Sequence, residues 1–285
     1  MILARDAPVK RGTIGGMNAA ALRARLADLH LPAVRYFDTV GSTNDIALDW
    51  VQQDAPDQAL VVADQQVAGR GRLGRQWITL PGAALAFSLV IRPSAAEAER
   101  LALFSPLAAV SLLQVLKDRC GLQAQIKWPN DVLIGRKKVA GILVEVQWEG
   151  PQPTGLVIGV GINVAHSAVP PASQLLFPAT SVEAAAGREI DRLDLLHDLL
   201  AALLSWRPRM GSEAFFQAWE GNLAFLQEPV RIESGGQQVY NGTVLGIDVS
   251  GNLRLLDSTG KEIHIASGDV RLRPAEGPST TATEE

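Results

Sequence analysis

The apolar positions of the chain first recur at helical spacing. Ala20, Leu22, Leu26 and Leu29 predict a helix over 18–31, and Pro32 ends it. Residues 34–40 read as extended. Gly41-Ser42-Thr43-Asn44 then opens a helix that reaches Trp50 and Val51, because serine and threonine oxygens accept the free N–H groups of a first turn. A short buried strand over 59–63 and an alternating strand over 83–92 follow. Ser105 before Pro106 starts a helix that runs to Cys120 and stops at Gly121. Strands are expected at 125–127, 131–134, 139–147 and 156–164, with Gly135-Arg136-Lys137 as a hairpin turn. Two helices come next. The first, 191–206, stacks Leu195, Leu196, Leu199, Leu200, Leu203 and Leu204 on one face; the second, 212–225, carries Phe215, Phe216 and Trp219.

After Gln227 the pattern changes to five short strands between glycine-rich turns, at 230–232, 239–247, 253–256, 262–266 and 270–272. Strands so short and so close suggest a small SH3-like barrel. The expected class is α+β, in four parts. Residues 1–33 form an extension with one short helix, 34–226 the larger domain, 227–275 the barrel, and 276–285 a disordered tail. Residues 1–16 are expected to be mobile, and no internal repeat is visible.

Composition narrows the function classes. With 285 residues and 47% hydrophobic content, the chain can fill a large core and a small one. Its net charge of −4 argues against a general nucleic-acid binder, so any anion site must come from local clustering. One cysteine, Cys120, excludes an intrachain disulfide and fits a reducing cytoplasm. His30, His166, His197 and His264 are scattered, so no structural zinc is expected. Neither a signal peptide nor an apolar run long enough for a membrane span is expected.

Four segments carry candidate chemistry. Gly69–Arg75 holds three glycines and three arginines without an acid, which suits a backbone and guanidinium cradle for an anion. It also matches G-x-G-x-x-G, but Trp77, Pro81 and Gly82 follow where a dinucleotide fold needs a helix, so that reading fails. A solvated basic loop remains an equal alternative for the segment alone. Lys127-Trp128-Pro129-Asn130-Asp131 and Lys138 lie one hairpin apart, so two cations can meet at one end of a sheet; Arg136 and Lys137 read as turn decoration. Gly159-Val160-Gly161-Ile162-Asn163 places a glycine pair inside a strand, for close packing or a ligand. Ser42-Thr43-Asn44 serves as a helix cap, or as a site with two hydroxyls and an amide.

In this order and spacing the segments resemble the biotin–protein ligase family over about 34–273: Gly41–Asn44, Gln66 with the Ala68–Arg72 and Gly74-Arg75 run, Lys127–Asp131, Lys138 with Ala140–Leu143, and Gly159–Asn163. The resemblance implies a mixed sheet flanked by helices, like the catalytic domain of class II aminoacyl-tRNA synthetases, followed by a small barrel. It implies ATP-dependent activation of biotin to an acyl-adenylate and transfer to a lysine of a biotin carboxyl carrier domain. Ser42, Thr43, Asn44, Gln66, Arg70, Gly71, Arg72 and Lys138 would then bind biotin. Arg70, Arg72, Trp77, Lys127, Asn130, Asp131, Asn163 and Arg273 would bind ATP and the adenylate, with Lys138, Lys127 and Arg72 nearest the chemistry. Asp131 would be a Mg²⁺ ligand. A monomer or homodimer is implied. Some members carry an N-terminal DNA-reading domain; one helix before residue 34 does not fit such a reader, so no repressor activity and no nucleic-acid partner are expected.

Overall fold

The computed structural model describes residues 17–234, 238–266 and 270–274. The expected extension over 1–16 and tail over 276–285 lie outside the described residues. α1 (Ala19–Arg25) is capped by Asn18, whose side chain accepts from the Ala20 and Ala21 N–H groups. A 3₁₀ turn over Ala27–Leu29 completes this segment, so the α-helix is shorter than its apolar spacing predicts.

β1 (Val34–Val40) and β2 (Leu60–Gln66) pair in parallel, and α2 (Thr43–Gln52) connects them. A parallel pair requires such a crossover. β3 (Ala84–Ile91) continues the sheet antiparallel to β2. The other strands are β4 (Gln125–Lys127), β5 (Asp131–Ile134), β6 (Lys137–Glu149) and β7 (Gln152–Asn163). Their order, β1-β2-β3-β7-β6-β5-β4, makes a mixed seven-stranded sheet. The β5–β6 hairpin turns at Gly135 and Arg136, both with positive φ, the geometry of a two-residue primed turn.

Helices cover both faces. α3 (Ala95–Ala98) is a single turn closed by a capping box of Ser94 and Glu97. α4 (Phe104–Cys120) and α6 (Arg192–Trp206) pack on one face, and α2 packs on the other. α5 (Val182–Ala186) is short, and α7 (Glu213–Glu220) stops earlier than expected. The reason is local: 222–224 turns back to exchange backbone bonds with Ile126. α4 also starts earlier than expected, because a 3₁₀ turn over Leu101–Leu103 runs into Phe104. Ser105 is therefore inside the helix, and its hydroxyl donates to the Pro129 carbonyl. The stretch Leu101–Cys120 corrects one expectation, being long and apolar enough to cross a membrane by composition alone. Two thirds of its most apolar window is buried inside the fold, which makes it a core helix.

Strand periodicity sorts the sheet's side chains. Phe87, Leu89, Ile158, Val160, Ile162, Ala140 and Ile142 join the main core with α4 and α6. Val90 and Val157 pack instead with Ala47, Trp50 and Val51 of α2. Gly141, Gly159, Gly161 and Ser88 share the α2 side by the same alternation, and that is where the site forms.

Five further strands, β8 (Pro229–Ser234), β9 (Gln238–Ile247), β10 (Leu253–Leu256), β11 (Glu262–Ile265) and β12 (Val270–Pro274), form an antiparallel sheet ordered β11-β10-β9-β8-β12. Its Val230, Ile232, Val244 and Leu253 continue the main core. Trp128 ties the two sheets by donating its indole N–H to the Gly251 carbonyl at 2.9 Å.

Candidate active site

The site is a trough over the sheet, roofed by the N-terminus of α2 and the glycine–arginine loop. Its floor holds two paired rows, Gly159 with Leu143 and Gly161 with Gly141, and Ser88 and Ala86 continue these rows on β3. A Cβ on Gly159 would lie 2.0 Å from Asn44 Oδ1, and one on Gly161 would lie 2.4 Å from the Trp77 indole. The glycine pair therefore admits two of the protein's own side chains, which in turn shape the trough.

One end of the trough is rich in neutral hydrogen-bonding groups. Gln66 Oε1 accepts from the Thr43 N–H at 2.8 Å and from its hydroxyl at 3.0 Å. Asn44 is held from both sides: its Oδ1 accepts from Ser88 at 2.6 Å, and its Nδ2 donates to Glu145 at 2.7 Å. Ser42 occupies the N-cap position of α2 but makes no side-chain cap bond. It is buried at the wall of the trough, together with Thr43 and Asn44.

The other end is cationic. The Lys138 ammonium lies 2.6 Å from Asp131 Oδ1, and the Lys127 ammonium lies 3.5 Å from Asp131 Oδ2. The hairpin thus brings both lysines to one carboxylate, as their spacing predicts. Burial pushes the Asp131 carboxyl up, but Lys138 and then Lys127 outweigh it and hold the group below the usual carboxylate range. Lys127 also lies 4.3 Å from the Phe177 ring centre, and Lys138 lies 5.4 Å from that of Trp77. A second cavity adjoins this end, walled by Trp77, Asn163, Pro170, Leu175, Phe177 and Ala179.

The loop closes on itself through Gly71 N–H to the Arg75 carbonyl, and Trp77 N–H to the Gly69 carbonyl. Its three arginines have different fates. Arg70 lines the trough, but its guanidinium is forked onto both oxygens of Glu145 and also meets Asp45 at 2.6 Å. Arg72 lies between the trough and a third cavity beside Trp148. Arg75 lines both the trough and the second cavity, and its Nε and one terminal nitrogen are buried with no hydrogen-bond partner among the described residues.

The remaining predicted residues are spread between the trough, the second cavity and the small sheet. Asn130 lines the trough, but its amide donates to the Ile142 carbonyl. Asn163 is absent from the trough wall; it lines the second cavity and donates to the Thr180 carbonyl. Arg273 stands on β12 opposite Arg231, and its side chain lies outside the described residues. Asp131 fits a Mg²⁺ ligand poorly, since both its oxygens face ammonium groups. The described residues contain no group of three His, Cys, Asp or Glu side chains able to hold a metal.

Residues 36–163 match the biotin/lipoate A/B protein ligase family, and 225–273 match the biotin protein ligase C-terminal domain. The bifunctional ligase/repressor BirA of Bacillus subtilis is 36% identical over 241 residues, 83% of this chain and 73% of that protein. The biotin–[acetyl-CoA-carboxylase] ligase of Paracoccus denitrificans is 36% identical over 214 residues, 72% of this chain and 87% of that one. The chain belongs to the biotin protein ligase family. Among solved structures, the Aquifex aeolicus biotin protein ligase, in complex with biotin and ATP, superposes with a TM-score of 0.74. That likeness has 27% identity and covers 85% of this chain and 99% of the other.

Within this ligase fold, three residues that reasoning from sequence passed over belong to the site. Ser88 and Glu145 fix Asn44, and Asp45 helps hold Arg70. Ser88 carried a usable signal, as a polar residue inside an apolar alternating strand. Glu145 carried none, because its partners lie 75 and 101 residues away.

Proposed function

We propose that this ligase joins biotin to ATP as biotinyl-5'-AMP, with loss of pyrophosphate, and then passes the biotinyl group to a lysine of a carrier domain. The observation that carries this reading is the polarity of the trough. Thr43, Asn44 and Gln66 present neutral donors and acceptors at one end, and Lys127, Lys138 and Arg75 present positive charge at the other. A molecule with an uncharged ureido ring and a carboxylate tail enters such a trough in one orientation. Its carboxylate then meets Lys138, and the adjoining cavity beside Trp77 and Phe177, which Lys127 and Arg75 also line, receives the nucleotide.

In the first step a biotin carboxylate oxygen attacks the α-phosphorus, the bond to the β-phosphate oxygen breaks, and pyrophosphate leaves. Two anions must approach each other. The lysines reduce that repulsion and stabilise charge growing on the phosphoryl oxygens. Arg75 supplies further donors without loss of an existing bond. Mg²⁺ enters this scheme only as part of the MgATP substrate. In the second step the neutral acceptor amine attacks the acyl carbon, AMP leaves with the electron pair of the broken acyl–oxygen bond, and the nitrogen gives up a proton to solvent. The closed loop over the trough keeps water from the mixed anhydride meanwhile.

We further read the larger sheet as the class II synthetase-like catalytic layer and the five-stranded sheet as an SH3-like barrel, with the boundary near residue 227. The antiparallel order β11-β10-β9-β8-β12 supports the barrel reading. The deciding experiment is exchange of labelled pyrophosphate into ATP. Exchange that requires biotin and is not supported by lipoate is expected. No exchange with either acid, from folded protein, refutes the activity.

A further inference from the structure

We propose that Glu145 is a positioning residue, one carboxylate that latches the glycine–arginine loop through Arg70 and at the same time fixes the amide of Asn44. Its Oε1 accepts from one terminal nitrogen of Arg70 at 2.8 Å. Its Oε2 accepts from the other at 2.7 Å and from Asn44 Nδ2 at 2.7 Å. Asn44 Oδ1 is taken by Ser88, so the orientation of the amide is settled from both ends. Three elements meet here: β6 through Glu145, α2 through Asn44 and Asp45, and the loop through Arg70. A forked arginine–carboxylate pair sets direction as well as attraction. Because the loop is closed on itself by bonds from Gly71 to Arg75 and from Trp77 to Gly69, holding Arg70 holds the loop as a unit.

The latch acts through the loop, with the Arg70 guanidinium taken by Glu145 and Asp45. Its exposure suits that task. The Arg70 side chain is 38% exposed and that of Glu145 is 25% exposed, so water and salt compete with the pair. A loop that must close over a reactive anhydride and then reopen needs a hold of this moderate strength.

The proposal rests on the reading of the trough as the biotin site, and a mutant cycle separates the two. The wild type, Arg70→Ala, Glu145→Ala and the double variant are compared for release of preformed biotinyl-adenylate. Each single change is expected to speed release about tenfold, and the double variant to be no faster than either. Additive losses, about a hundredfold in the double variant, would mean that Arg70 holds the ligand directly and would overturn the latch. Glu145→Gln keeps an oxygen for Asn44 and loses the charged fork. It is expected to restore the KM for biotin without restoring retention, a split that general destabilisation cannot produce, and it serves also if Glu145→Ala does not fold. Trypsin cleavage at Arg72 and Arg75 in the ligand-free protein reads the latch without catalysis. Equal acceleration in both single variants supports it, and unchanged cleavage in both refutes it even if the protein ligates nothing.

Discussion

Asp131→Asn isolates the charge that holds the cationic end together. The substitution keeps size and shape and removes the negative charge between Lys138, at 2.6 Å, and Lys127, at 3.5 Å. Removing one partner of a buried ion pair costs about 3–5 kcal/mol, because the remaining charge is left without compensation. Lys127 is 5% exposed in its side chain and receives almost no help from water, whereas Lys138 is 24% exposed and recovers part of its hydration. The expected loss is therefore about 2–4 kcal/mol. For a chain of this size that lowers the melting temperature by roughly 4–16 °C. The same reasoning fixes the effect of ligand. An anion bound between the two lysines replaces the missing carboxylate, so pyrophosphate should raise the melting temperature of Asp131→Asn more than that of the wild type. Scanning calorimetry at matched ionic strength measures both shifts. A ligand-free melting temperature within about 1 °C of wild type would show that Asp131 does not compensate the lysines. A ligand shift smaller than that of the wild type would show that the lysines do not face the anion.

Three further outcomes follow from the same geometry. Lys138→Ala should lower the rate of biotinyl-adenylate formation by about 10²–10³-fold with the fold intact by circular dichroism, since it deletes a charge aimed at the reacting oxygens; near-normal single-turnover rates would remove Lys138 from the chemistry. Gly161→Ala drives a methyl group into the Trp77 indole at 2.4 Å, so it should cost about 1–3 kcal/mol and shift tryptophan emission; an unchanged spectrum and melting temperature would contradict the packing. The folded Asp131 carboxyl titrates below its unfolded value of about 3.9. Its stabilisation is present above that pH and lost as pH falls through the folded pKa, so the melting gap between wild type and Asp131→Asn should hold near neutrality and close below about pH 4; a gap that widens in acid would reverse the assigned sign.

The parts of the fold legible in the sequence are those set by short-range pattern. The alternation in β3, the glycine stop after α4, and the primed turn at Gly135-Arg136 each need only a few residues to be recognised. The helix starts were less legible. Ser105-Pro106 reads as a start because both residues suit a first turn, yet Leu101–Leu103 already coils ahead of them in the core. The end of α7 was misplaced because its last expected turn is claimed by Ile126, nearly a hundred residues earlier in the chain. In each case tertiary contact decided among conformations that local preference leaves close in energy.

The site shows the same division at the scale of chemistry. The meeting of the two lysines was legible, because one hairpin fixes their separation and the acid between them is part of the same segment. The arginines of the loop could not be told apart in this way. Within six residues, Arg70 is neutralised by two acids, Arg72 stands between two cavities, and Arg75 keeps two buried nitrogens without a hydrogen-bond partner among the described residues. What positions Arg70 is the register of β6 against β7 and the placement of α2, which bring Glu145 and Asp45 under it. A charge in this loop is thus available to an anion only where the surrounding fold withholds an acid. It follows that moving an acid should move the function: a carboxylate placed within reach of Arg75 would make it a second Arg70, strengthening the loop's hold on the sheet while removing a donor from the cationic end.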